Sequence, residues 1–146
     1  MGKPQLNEGV GSASALLFLP GKVLVMQREE IEALHARFDR PGFGTTTVDE
    51  LEYIQRLIQK HKPERFLEIG TASGLTTGFI AHFMHENGGK SVTSVDLSTT
   101  FFGERDKPVG YLAREIYQRN GIEIDIRPRK SALDLAEIGG TWDMAF

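Results

Sequence analysis

The sequence has no cysteine, which excludes disulfides and thiolate metal centres and suits a reducing compartment such as the cytoplasm. It has no excess of positive charge. Its 17 Lys and Arg stand against 20 Asp and Glu, a formal −3, so nothing draws the chain generally to nucleic acid or to an anionic membrane. The apolar stretch 13–19 is only about one third of a membrane-spanning helix. Pro20-Gly21 follows it where a secretory leader would have a small-residue cleavage site, so a buried strand or lid segment is the better reading. Repeats and low-complexity tracts are absent as well. What remains is 146 residues, 40% hydrophobic and 25% charged, enough for one globular domain and too few for two full α/β domains.

Residues 1–14 are rich in Gly, Ser and Asn and read as a loose terminus. Two apolar runs, 16–19 and 23–26, flank Pro20-Gly21-Lys22, a hairpin pattern. Ile31, Leu34 and Phe38 share one face of a helix expected over 28–40, which Pro41-Gly42-Phe43-Gly44 ends. Thr47 and Glu50 then fit a capping box, and Val48, Leu51, Ile54, Leu57 and Ile58 form the apolar stripe of a helix running to His61.

Beyond Pro63 the pattern alternates between strand and helix. Strands are expected at 65–69, 91–95, 122–126 and 142–146. Helices are expected at 75–86, 109–119 and 134–138, with a loop at 98–108. Such alternation implies a parallel sheet with crossover helices.

One turn stands out. Phe66-Leu67-Glu68-Ile69 runs straight into Gly70-Thr71-Ala72-Ser73-Gly74 and then a helix. Small residues there let a ligand approach the main chain, and the first amides of the helix supply donors. Open α/β sheets bind ligands outside the carboxyl ends of their strands, where this turn must lie. A dinucleotide fold wants G-x-G-x-x-G; here the spacing is Gly70-x-Ala72-x-Gly74, and Glu68 is poorly placed for two phosphates. That acid suits a ligand carrying an ammonium group, such as the methionine part of S-adenosylmethionine. Asp96 closes the next strand, where its two oxygens match the two hydroxyls of a ribose.

The run Glu68-Ile69-Gly70-Thr71-Ala72-Ser73-Gly74 resembles the first motif of the class I S-adenosylmethionine-dependent methyltransferases, E/D-x-G-x-G-x-G. It is most similar to the small-molecule O-methyltransferase-like branch, and the resemblance extends over about residues 44–146. Ala72 departs from it, standing where the family usually has glycine. The resemblance implies a Rossmann-like parallel sheet with flanking helices, S-adenosylmethionine as cofactor, and Glu68, Gly70, Thr71, Ala72, Ser73, Gly74, Asp96 and Leu97 around it. Leu97 would lie against the adenine. Lys130-Ser131-Ala132-Leu133-Asp134 matches the family's G-D-A-x-x-x-L pattern, so Ser131 and Ala132 join the set, with a serine in place of the usual acid. Trp142-Asp143-Met144-Ala145-Phe146 is similar to the family's fourth strand. In the family's seven-stranded order, 3-2-1-4-5-7-6, the chain would supply only the first four strands. The expectation is therefore an N-terminal half, truncated after an apolar fourth strand left at the edge. Residues 1–44 would form a cap or lid, and residues 45–146 the cofactor-binding half.

Each residue also has a plainer reading. Glu68 and Asp96 could be strand-end acids, and Gly70 and Gly74 ordinary turn glycines. His82 and His85 have metal-ligand spacing but no third partner, and with His35 and His61 they read as surface histidines. Phe101-Phe102 is equally lid packing or aromatic contact with substrate. Glu104-Arg105-Asp106-Lys107 reads as a solvated turn, and Arg127, Arg129 and Lys130 as a solvated strand end. No metal site and no catalytic base is assigned. The expected activity is methyl transfer to a small-molecule acceptor, and a homo-oligomer is left open. An NAD(P)-binding oxidoreductase fragment and a non-catalytic Rossmann-like scaffold are the competing readings.

Overall fold

A computed structural model describes residues 25–146. The loose terminus at 1–14 and the stretch 13–19 lie outside the described residues. So does most of the expected hairpin, of which Val25 and Met26 are described and carry no strand.

Helix α1, Arg28–Phe38, packs against helix α2, Val48–His61, through the fully buried Ile31. The capping box of α2 forms as expected: Thr47 Oγ1 accepts from the Glu50 amide at 3.3 Å, and Glu50 Oε2 accepts from the Thr47 amide at 2.8 Å. Two orphan amides are thereby satisfied, and the helix starts where its apolar stripe starts. Strand β1, Arg65–Ile69, leads through the turn into helix α3, Leu75–Glu86, and α3 returns to strand β2, Ser91–Asp96. Strand β5, Glu123–Pro128, and strand β6, Met144–Ala145, complete a four-stranded sheet in the order β5-β2-β1-β6. All three pairings are parallel. The α/β architecture and the strand order match the expectation.

Side chains alternate across this sheet. Phe66, Glu68, Val92, Ser94 and Ile124 are buried beneath the helices, and Leu51, Ile54, Ile58, Phe79, Ile80 and Phe83 complete the core there. The opposite face begins with Arg65, Ser91 and Glu123, aligned side by side in the register, followed by the buried Leu67 beside Thr93 and Asp125, and then by the buried Val95.

Three expectations change. Residues 98–108 are not a plain loop: β3, Thr100–Phe101, and β4, Glu104–Pro108, pair antiparallel, so the charged run 104–107 is an exposed strand rather than a turn. The helix expected over 109–119 shrinks to α4, Ala113–Ile116. Its first part is diverted because Gly110 takes a left-handed φ of +77° and bonds to the turn after β1 instead. The helix expected at 134–138 forms as α5, Leu135–Ile138, preceded by a 3₁₀ turn, Ala132–Asp134. The strand expected over 142–146 is the two residues of β6. There Met144 is half-buried, Ala145 is exposed and Phe146 is 50% exposed, so this edge is short as well as apolar.

Candidate functional site

The turn 70–74 sits at the carboxyl ends of β1 and β2, and its own main chain is largely spoken for. The Gly70 amide donates to the Val95 carbonyl at 2.8 Å, and the Gly74 amide to the Thr71 carbonyl at 2.8 Å. The carbonyls of Ala72 and Ser73 accept from the amides of Gly110 and Leu112, both at 2.9 Å. Gly74, with φ at +87°, lies so close to the Gly110 main chain that a Cβ there would come within 2.6 Å of it. Only glycine meets both demands. Gly70, with φ at +98°, has open space where a Cβ would stand. The turn is thus closed on its helix side and open above.

Ala72, the departure from the family pattern, adopts φ +48°. A left-handed alanine costs about 1–2 kcal/mol. Its amide donates to Asp96 Oδ2 at 2.9 Å and its carbonyl accepts from Gly110, contacts that hold it there.

Asp96 is half-buried at the end of β2. Its second oxygen accepts from the Ser98 amide at 2.8 Å, and its carbonyl accepts from the Lys130 amide at 2.9 Å. This last bond brings residues 130–134 beside the turn. Ser131 Oγ accepts from the Leu133 amide at 3.1 Å and donates to Asp134 Oδ2 at 3.0 Å, so its hydroxyl is engaged in capping the 3₁₀ turn. The Ser131 amide and hydroxyl hold the Asp134 carboxyl below its ordinary pKa. Leu97 is 75% exposed and Leu133 is 95% exposed, while Ala132 is exposed beside Leu133.

Glu68 is placed differently from the sequence reading. The residue is 1% exposed, with Oε2 turned to α3 beneath the turn. Oε2 accepts from the Thr77 hydroxyl and from the Ser94 hydroxyl, the latter at 2.6 Å. Burial pushes its pKa up to about 7, opposed by the two hydroxyl hydrogen bonds and reinforced by the nearby Asp96 charge.

Glycine 70, Thr71, Ala72, Ser73, Gly74, Asp96, Leu97, Ser131 and Ala132 are therefore gathered at one sheet edge, with Glu68 below them. Sequence reasoning missed Gly110, whose signal was a glycine inside an otherwise helical pattern, and the exposure of Leu133. Phe101 and Phe102 differ in their surroundings. Phe101 is buried, edge-on to Phe43 at 4.8 Å, whereas Phe102 is 65% exposed over Gly44. A cleft of about 490 Å³ opens behind this pair, lined by Arg37, Arg40, Phe43, Lys107 and Tyr111 among others.

The histidines are not simply surface residues. His82 Nε2 pairs with the Ile116 carbonyl at 2.9 Å, and His85 Nδ1 with the Tyr117 hydroxyl at 2.7 Å, both partly buried. Burial depresses the pKa of each. His35 meets the Thr46 carbonyl at 2.8 Å, and His61 is exposed. Among the described residues no group of three His, Cys, Asp or Glu is gathered to hold a metal, and no helix is long and apolar enough to cross a membrane.

No family model matches the sequence, and no curated protein matches it. Solved structures do match the fold. The SAH-bound Podospora anserina methyltransferase PaMTH1 shares 18% identity over 81% of this chain and 47% of its own, with a TM-score of 0.53. The Bacillus cereus O-methyltransferase in complex with SAH shares 22% identity over 91% of this chain and 56% of its own, with a TM-score of 0.52. Cofactor-bound Rv0187 from MTB shares 20% identity over 81% of this chain and 50% of its own, with a TM-score of 0.51. The chain therefore has a Rossmann-like fold of the O-methyltransferase kind. It spans about half the length of these structures.

Proposed function

We propose that this chain supplies the cofactor-binding half of an S-adenosylmethionine-dependent methyltransferase acting on a small-molecule acceptor. One observation carries the reading most. Gly70 has nothing within 4 Å of where a Cβ would stand, Asp96 holds the neighbouring Ala72 amide at the carboxyl end of β2, and Leu97 and Leu133, in the segments that follow β2 and β5, are exposed. A nucleoside fits that chemistry, with ribose hydroxyls on the free lone pairs of Asp96 and a base between apolar side chains. Gly70, Thr71, Ala72, Ser73 and Gly74 would cradle the amino-acid arm, and Ser131 and Ala132 would border the adenine. The fold is shared with structures that hold SAH.

Bound S-adenosylmethionine supplies the electrophilic methyl group. The protein's contribution is to hold that group and the acceptor in line, which is an entropic service more than a chemical one. Residues 1–44 act as the cap on the acceptor side and residues 45–146 as the cofactor half. In support, Phe43 packs on Phe101 and Gly44 lies under Phe102. The exposed Phe102 suits an acceptor with an apolar or aromatic part. No residue is assigned as catalytic base.

Calorimetric titration of the chain with S-adenosylhomocysteine and with NAD tests the reading. Binding of the first alone is expected. NAD binding alone would replace the reading with an oxidoreductase, and binding of neither would favour a scaffold. Asp96→Ala should weaken S-adenosylhomocysteine by about 10- to 100-fold, the worth of two charge-assisted hydrogen bonds to the ribose.

A further inference from the structure

We infer that the cleft of about 490 Å³ between the end of α1, strand β4 and the start of α4 is a second ligand site, which takes an organic acid with a flat apolar body and is closed off from the space above Gly70. This site stands independently of the cofactor reading above.

The lining has an apolar floor and a charged rim, the usual make-up of a small-molecule site. Phe43 and Leu112 are buried in the floor, and Phe38 and Tyr111 are half-buried beside them. Phe101 meets Phe43 edge-on at 4.8 Å, so the floor is set before any ligand arrives. On the rim stand three cations, Arg37, Arg40 and Lys107, with two acids, Glu104 and Glu115. Opposite charges gathered in so small a space would ordinarily pair. Among the described residues, none of these five takes part in a salt bridge.

The cations are held in place by other means. The Arg37 guanidinium lies 5.2 Å from the centroid of the Phe38 ring, and Lys107 Nζ lies 5.9 Å from that of Tyr111. One terminal nitrogen of Arg40 donates to the carbonyls of Arg37 and Asp39, at 3.0 and 2.7 Å, which fixes the guanidinium at the end of α1. Its other nitrogens have no partner among the described residues. The Asp39 carboxylate, nearest in sequence, accepts from the Thr45 hydroxyl at 2.5 Å. Burial, and then the charge of Glu104 beside it, raise the pKa of the Tyr111 hydroxyl, so Glu104 is turned to that group. Glu115 is exposed on α4. The cations outnumber the acids by one, and an anion carried on an apolar ring would complete both the rim and the floor.

Tyr111 and Leu112 line the cleft, and the same segment closes it from the cofactor turn. The amides of Gly110 and Leu112 donate to the carbonyls of Ala72 and Ser73, both at 2.9 Å. Gly74 and Gly110 lie too close to admit a methyl group between them. The cleft is on one side of residues 110–112 and the turn is on the other. An occupant of the cleft is thus a ligand additional to the cofactor, not a competitor for its bed.

Three probes test this in the full chain. 2-Naphthoate carries both ring and charge, 2-naphthalenemethanol keeps the rings without the charge, and acetate keeps the charge without the rings. Titrations followed by amide NMR shifts should show naphthoate binding about fivefold or more tighter than either of the others. Its shifts should centre on residues 37–43 and 104–115. Arg37→Gln and Lys107→Gln should each weaken naphthoate by about two- to fivefold and leave naphthalenemethanol within about twofold. Glu115→Gln removes a like charge and should tighten naphthoate by about twofold, a gain that damage to the fold could not produce. Saturating S-adenosylhomocysteine should leave the naphthoate affinity within about twofold, as two separate sites require. Equal affinity for naphthoate and its alcohol, no binding at all, shifts away from the cleft, unchanged affinity in the Arg37 and Lys107 variants, or displacement by S-adenosylhomocysteine would each overturn the second site. A chain that binds naphthoate in this way but no S-adenosylhomocysteine would lose the cofactor reading and keep the cleft.

Discussion

The two faces of the four-stranded sheet obey different rules. On the helix side, Phe66, Val92 and Ile124 are buried with Phe79, Ile80 and Phe83 above them. On the other side, the first row of the register holds Arg65, Ser91 and Glu123, the second Leu67, Thr93 and Asp125, and the third sets the buried Val95 beside Arg127, which pairs with Asp125 at 2.8 Å. Strands of a doubly covered parallel sheet read as near-continuous apolar runs, whereas strands covered on one side alternate. Ile122-Glu123-Ile124-Asp125-Ile126 alternates, and the structure shows why: its isoleucines face α3 and α4, and its acids face a polar cleft. The difference teaches that the helix side is packed along its whole length, whereas the other side is packed around Leu67 and Val95 and turns polar toward β5.

The strongest way to break that comparison is to cut into the helix side. Phe66→Ala should destabilise the chain by about 3–5 kcal/mol, the usual effect of emptying a buried aromatic site, read by chemical denaturation. Gly74→Ala comes next, at about 2–4 kcal/mol, because the new methyl group meets the Gly110 main chain and the backbone must keep a left-handed φ. It should also reduce S-adenosylhomocysteine binding more than Phe66→Ala does at equal residual folding.

Acidity sharpens the contrast further. Glu68 has a folded-state pKa of about 7, raised by burial above the ordinary carboxylate value, so the unfolded chain releases this proton first as pH rises. Stability is therefore greatest below about pH 4.5 for this group, declines up to about pH 7 and is flat above it, a loss on the order of 3 kcal/mol. Glu86, also raised to about 7 chiefly by burial, adds a slope of the same sign. Denaturation midpoints at pH 5 and pH 8 should show the decline, and Glu68→Gln should reduce it. The smallest effect belongs to the polar face. Asp125→Ala should change stability by less than about 0.5 kcal/mol, since its ion pair with Arg127 is partly exposed. A loss there comparable to that of Phe66→Ala would abolish the distinction between the faces.

The sequence was most legible where local chemistry and tertiary packing agree. Thr47 and Glu50 start α2 because the cap is local, and Glu68 to Gly74 announces a strand-turn-helix unit by composition alone. Legibility fails between Leu97 and Ile122. Tyr111, Leu112 and Ile116 have helical spacing, but Gly110 is claimed by Gly74 and Ala72, a partnership across the fold that no local window contains. The exposed strand β4 shows no alternation, because burial does not distinguish its two sides. Within the site, the turn and Asp96 could be located from the sequence. The buried orientation of Glu68 could not, since its two partners, Thr77 and Ser94, sit on separate elements.

The back-to-back contact of Gly74 and Gly110 ties two segments that look independent on paper. The hairpin of β3 and β4 can be lengthened, shortened or recoded only if it returns the chain to the same spot at the start of α3. Moving that landing point by the width of one methyl group would shift the turn 70–74 as well, so the placement of the hairpin and that of the turn are one problem and not two.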